Sequence, residues 1–101
     1  MKPVKYHRLA WREYVHEFRY YERRRAGLKG DFEKRIEEAE GKIQASPKLF
    51  AIFRNTPARA CPVDVFPFVL YFVEFADLII VYAVAHHKRL PGYWTRRLTK
   101  R

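Results

Sequence analysis

The stretch FPFVLYFVEFADLIIVYAVA, residues 66–85, decides the fold. It is apolar for most of its length, and long enough to raise the question of a membrane-spanning helix. Glu74 and Asp77 sit in its middle, where charge would be costly in lipid. The tetrapeptide EFAD (74–77) reads instead as a turn that divides the run into two strands, 66–74 and 77–85. A connection that tight makes them an antiparallel hairpin. Both strands are apolar on both parities, so both faces of the hairpin call for cover.

Outward from this hairpin, toward the N-terminus, period 2 continues for a while. LFAIF (49–53) is a strand candidate and NTP (55–57) a turn. ARACPVDV (58–65) is a weaker strand, spoiled by Pro62. Before Ser46 the period becomes 3.6. Residues 8–26 predict a helix with Trp11, Val15, Phe18 and Tyr21 or Glu22 on one face, widened by Tyr14. Arg8, Arg12, Arg19 and Arg23 occupy its other face. RRRAG closes it, with cations at the negative end of the helix dipole and Gly27 suited to a left-handed cap. Residues 30–45 predict a second helix, with Asp31 as N-cap or first-turn acid and an apolar stripe of Phe32, Ile36, Ala39 and Ile43. Pro47 ends it. PVKYH (3–7) is a candidate edge strand. The expected class is therefore α+β: an N-terminal edge strand, an α-helical hairpin, an antiparallel β-meander with helices on one face, and a short basic C-terminal arm that is a helix or a loose segment.

The chain has 101 residues, which predicts one domain spanning 1–101. Its net charge is +10 and its pI near 10.1, which point to an anionic partner, either nucleic acid or an acidic protein segment. Cys61 is the one cysteine, so no disulfide can form within the chain. A reducing cytosol is the expected home, and core filler the expected role of Cys61. The N-terminus carries no apolar segment of the signal-peptide kind, and no membrane partner is expected.

The chemistry concentrates in AVAHHKRLPGYW, residues 83–94. His86 and His87 are adjacent, so on a strand they point to opposite faces and cannot share an ion without a bend. No zinc spacing occurs elsewhere, and neither metal nor cofactor is expected. Cys61 lacks the context of a nucleophile, and no phosphate-binding or nucleophile-elbow motif is present. A metal-free ribonuclease would need a base, a proton donor and cations around the phosphorane. His86, His87, Arg89 and Tyr93 have those chemical types, and Arg54 and Arg59 could add phosphate contacts. Lys88, Arg89, Arg96, Arg97, Lys100 and Arg101, interleaved with Tyr93 and Trp94 and with no acid among them, equally suit a binding surface for nucleic acid or an acidic protein.

Taken in order, several segments carry a resemblance. They are Tyr20-Tyr21 near the end of the first helix, Gly27-Leu28 with Gly30 in the connection, FEKRIEEAEGKI, and SPKLF at 46–50. FPFVLYF at 66–72 and AVAHHKRLPGYW at 83–94 complete the series. Together they resemble the RelE/ParE superfamily of type II toxin–antitoxin toxins, on the ParE-like or plasmid-stabilisation side, over most of the chain. The resemblance implies a twisted antiparallel sheet packed by a helical hairpin. It also implies a cytoplasmic bacterial growth inhibitor neutralised by a cognate acidic antitoxin. ParE-type members poison DNA gyrase, and RelE-type members cleave mRNA on the ribosome.

RelE-type nucleases carry lysines on the strand before the central hairpin and an arginine early in the next. ACPVDV and FPFVLYF offer neither here. The C-terminal arginine position falls near His87, with Arg89 two residues on, and Tyr93 keeps the tyrosine position. A nuclease without its phosphate clamp loses most of its transition-state stabilisation. The expectation is thus a non-enzymatic gyrase inhibitor, with contacts to target or partner through Arg54, Arg59, His86, Lys88, Arg89, Tyr93, Trp94, Arg96 and Arg97. The alternatives are a ribosome-dependent mRNA endonuclease using His87, Arg89 and Tyr93, and an inactive toxin-like binding module. The assemblies in view are a homodimer or a toxin–antitoxin hetero-oligomer.

Overall fold

A computed structural model of the chain describes residues 1–99. The elements run β1 (Val4–Tyr6), α1 (Arg8–Arg24), α2 (Leu28–Ala45), a 3-10 turn (Pro47–Leu49), β2 (Ala51–Ile52), β3 (Arg59–Pro62), β4 (Phe68–Glu74), β5 (Ile79–His86) and a second 3-10 turn (Thr95–Thr99). The five strands form one sheet in the order β1-β5-β4-β3-β2. β2 to β5 make the expected antiparallel meander, and the EFAD turn is closed by Phe75 N–H donating to the Leu78 carbonyl at 2.8 Å.

β1 departs from the expected all-antiparallel sheet. It lies parallel to β5, with Val4 opposite Ile79 and Tyr6 opposite Val81. A parallel neighbour needs a long crossover, which both helices and the whole meander supply. β2 is also shorter than the predicted 49–53, because Pro47 holds Lys48 and Leu49 in a tight turn. β4 starts at Phe68, two residues later than expected, since Phe66 and Pro67 form the bend that enters it.

The α2 stripe is as expected: Phe32, Ile36, Ala39 and Ile43 are all buried. α1 is rotated by about one position from its expected stripe. Ala10 is its buried residue, with Tyr14, Phe18 and Tyr21 packed beside the core, whereas Trp11 remains 51% exposed. Trp11 stacks on Tyr14 and meets Tyr6 edge-on, so its ring lies along the surface. α1 stops at Arg24. Gly27 does take the left-handed conformation (φ 84°), as the start of α2 and not as the cap of α1.

The two parities of the central hairpin divide the core. Phe68, Leu70, Phe72, Ile79 and Val81 face the helices, with Cys61 buried among them. On the other face Ile80, Tyr82, Ala83 and Ala85 are covered by Trp94, Phe53 and Leu98, so the C-terminal segment is the lid of the second core. A β-bulge makes this possible. Tyr71 pairs with Ala83 and Phe72 with Val81, which leaves Tyr82 as the extra residue. Tyr82 and Ala83 therefore both turn toward the lid, and Val84 returns to the helix side.

Candidate functional site

β1 ends at Tyr6, so β5 beyond Val81 has no strand on that side. Its backbone groups there need other partners, because an open sheet edge buried without them is costly. Two side chains supply them. Glu13, on α1, accepts from Val84 N–H at 3.0 Å, and Arg97 donates to the Tyr82 carbonyl at 2.9 Å. The two meet in a bidentate pair with both N···O distances at 3.0 Å, and both are largely buried. The Tyr93 hydroxyl donates to Glu13 at 2.7 Å, and the Arg89 guanidinium lies 3.7 Å from the Tyr93 ring centre. One carboxylate thus ties the strand end, the 93–97 segment and Arg89 together.

This geometry sorts the residues singled out in the sequence. Trp94, expected on a contact surface, is 1% exposed and stacks on Tyr71 at 4.4 Å, with Phe53 beside it. Its place is in the core, because the lid needs a large apolar group over Ala83 and Ala85. Arg97 is a structural brace, and Arg59 is another, donating to the Phe50 carbonyl at 2.8 Å. Arg54 is brought to the C-terminal segment. It adopts φ 48° and lies over the Phe53 ring, with its Nη1 only 3.4 Å from where a Cβ on Gly92 would be. Gly92 itself has φ 80°, and it is this left-handed backbone that calls for glycine there, since the Arg54 side chain lies at ordinary contact distance.

His86 ends β5 and His87 begins a turn. That turn removes the opposite-face geometry expected of a continuing strand, and the two imidazoles stack at 4.7 Å. His86 Nδ1 accepts from Lys88 N–H at 3.1 Å, and His87 N–H donates to the Pro67 carbonyl at 3.0 Å. Among the described residues no group of three His, Cys, Asp or Glu is placed to hold a metal ion. Lys88, Arg89, His87 and Arg96 are exposed. Lys100 and Arg101 lie outside the described residues.

As a proton donor Tyr93 is poorly placed. Burial, and then the Glu13 carboxylate that accepts its hydrogen, push its hydroxyl well above the ordinary tyrosine range. The recess beside it, between Tyr71, Ala85, His86 and Gly92, measures about 70 Å³, too small for a nucleotide. A larger groove of about 450 Å³ opens on the α1 side of the same strand end, between Arg12 and His16 on one bank and His86 and Arg89 on the other. Sequence reasoning missed Glu13, Arg12 and His16 as parts of this site. They are helix residues some seventy positions away, and α1 gave no signal beyond its basic outer face.

No protein-family description and no curated protein sequence matches the chain. Among solved structures it is similar to a chain of the "Chromosomal ParDE TA system from P. aeruginosa", with a TM-score of 0.67 at 17% identity. The match covers 85% of this chain and 96% of that one. The fold is therefore the ParE-like α+β arrangement of a helical pair on a five-stranded sheet. Among the described residues, no helix is long and apolar enough to cross a membrane.

Proposed function

We propose that this one-domain protein is the toxin of a type II toxin–antitoxin pair, a cytoplasmic growth inhibitor that acts on DNA gyrase by binding. The observation that carries the reading is the likeness to the ParDE chain, which extends over nearly all of that chain. The charge of +10 supports an acidic antitoxin as its neutralising partner. A binding mode, in preference to catalysis, is supported by the Glu13-bound Tyr93 and by Arg59 and Arg97 being engaged with backbone carbonyls. These are cation and hydroxyl groups that a metal-free ribonuclease would need free. The residues left to contact a target are His86, His87, Lys88, Arg89 and Arg96, at the end of β5 or on the segment that follows it, with Arg54 reaching that segment at Gly92 from the β2–β3 turn.

Induced expression in a bacterial host should arrest growth. Purified protein should block DNA supercoiling by gyrase at low molar excess, while toeprinting on translating ribosomes shows no new cuts. Unimpaired supercoiling at high excess would remove gyrase as the target. Codon-specific cuts would establish the endonuclease alternative, and harmless expression the inactive binding module.

A further inference from the structure

α2 carries a column of charge beside its buried stripe. Glu33, Glu37 and Glu40 stand four and three positions apart, next to Phe32, Ile36 and Ala39 on the helix. Like charges at such intervals destabilise a helix unless something offsets them. The chain has 21 Lys and Arg against 11 Asp and Glu, and Glu22, Glu38, Glu74 and Asp64 each pair with one of those cations. Among the described residues, none of Glu33, Glu37 and Glu40 makes an ion pair. Aromatic rings stand beside them. Trp11 and Tyr14 on α1 stack at 5.1 Å, and Tyr6 on β1 meets Trp11 at 72°, so the rings form a corner. The cleft between rings and carboxylates measures about 200 Å³, with Trp11 half exposed at its side. The Tyr6 hydroxyl donates to Glu40. Burial, then Glu33, Glu40 and Glu37, push the Tyr14 hydroxyl up to about 12, so all three carboxylates act on one spot in the cleft.

Carboxylates alone would suit any counter-ion, and the rings narrow the choice. A divalent metal ion needs oxygens that close on one point, whereas these acids are spread along the helix axis at intervals of about 6 Å and about 4.5 Å. Aromatic faces attract ammonium groups and also pack against methylenes. We propose that the cleft binds a linear aliphatic polyamine, its ammonium groups on Glu33, Glu37 and Glu40 and its methylene spacers against Trp11 and Tyr14. Four-carbon and three-carbon spacers set amines apart by distances close to the two helical intervals, in a ligand slender enough for the cleft. A lysine side chain brings one ammonium and leaves two carboxylates unmatched. The net charge of +10 repels a polycation from the rest of the surface, which confines binding to this acidic face. Such binding is independent of the toxin reading and needs no cellular target.

The test follows the two indole N–H resonances of the full chain by NMR in about 0.15 M salt, where loose charge attraction is screened. Trp94 is 1% exposed and serves as the internal reference for Trp11. Spermidine, n-butylamine, magnesium chloride and a short peptide with one central lysine are titrated in turn. Spermidine should shift the Trp11 signal saturably, leave Trp94 in place, and bind at least tenfold more tightly than each of the others. Glu33→Gln with Glu37→Gln should weaken it tenfold or more. Glu22→Gln with Asp64→Asn, an equal charge change outside the cleft, should leave it within twofold. All four side chains are exposed, so circular dichroism should report unchanged folding. Trp11→Leu keeps apolar bulk and removes the ring, and calorimetry should show spermidine weakened at least threefold. Unchanged affinity in Trp11→Leu, or butylamine or magnesium binding as tightly as spermidine, would reduce the cleft to a charge cluster and overturn the proposal. Equal loss in both double variants would reduce the effect to net charge and overturn it too. A lysine peptide that binds as tightly or more tightly would overturn it in favour of a protein partner. No saturable shift at millimolar spermidine would overturn it outright.

Discussion

At the scale of single residues, Glu13 is where the C-terminal segment is attached. Its carboxylate accepts from Val84 N–H, from the Tyr93 hydroxyl and from both terminal nitrogens of Arg97. With both charges largely out of water, removing one partner leaves the other desolvated and unpaired. Glu13→Ala should therefore cost about 3 kcal/mol of folding stability, read from the shift of the urea midpoint. An exposed acid such as Glu33, changed the same way, should cost less than about 0.5 kcal/mol. Val65 is a second informative residue. It is 78% exposed and sits at φ 73°, a left-handed conformation that a β-branched side chain adopts only under strain of about 1–3 kcal/mol. Val65→Gly should relieve that strain against roughly 0.5–1 kcal/mol of added chain entropy in the unfolded state. The melting temperature should hold or rise by a few degrees, whereas Val65→Ala, which keeps the strain, should not raise it.

At the scale of elements, what could be read from the sequence depended on how many residues repeated one signal. The α2 stripe recurs four times and was legible to the residue, and the 66–85 run contains its own turn. α1 misled by one position because Trp11, the largest apolar side chain on it, suits the expected stripe yet rests on Tyr6 and Tyr14 at the surface. The β5 bulge at Tyr82 carries no local sequence mark, since every residue around it is apolar. Its consequence, a second core under Trp94, was hidden with it, and so was the difference between arginines that brace carbonyls and arginines that face solvent. The site was legible as a cluster near residues 83–97 and not as a partnership with α1, because Glu13 meets Tyr93 only after the sheet has closed. One reading at this scale can be tested simply. Gly41 lies inside α2, is exposed, and a Cβ there would meet nothing within 4 Å. Gly41→Ala should stabilise the fold by roughly 0.5–1 kcal/mol through helix propensity alone, visible as a higher thermal midpoint.

At the scale of the whole molecule, the apolar core holds one thiol and is flanked by partly buried tyrosines, groups that are neutral at pH 7 but can ionise, and this sets its response to alkali. Burial raises the Cys61 thiol from 9.0 to about 11 and the Tyr14 hydroxyl from 10.0 to about 12. Burial also raises Tyr6, Tyr21, Tyr71 and Tyr93, with Glu40 adding to the effect on Tyr6 and Glu13 to that on Tyr93. In every case the folded value exceeds the unfolded one. The unfolded chain therefore releases its proton first, and the stability each group contributes is fully present below its unfolded value and lost as pH climbs toward the folded one. Deprotonation of the surface lysines acts in the opposite direction, since it lowers the +10 charge and its self-repulsion. That effect is spread over solvated side chains and is weakened by salt, whereas Cys61 is wholly buried. The thiol alone should account for about 2–3 kcal/mol across its window. Urea midpoints measured in about 0.15 M salt should accordingly stay level from pH 7 to 9, decline between 9 and 10, and fall steeply above 10 as the tyrosines join. Cys61→Ala separates the contributions. It should lower stability by about 1 kcal/mol at pH 7, reduce the decline between pH 9 and 10 by about 1 kcal/mol while the tyrosines keep the remainder, and leave the steep loss above 10 in place. A decline of unchanged size in that variant would assign the alkaline sensitivity to the tyrosines and remove the thiol from the account.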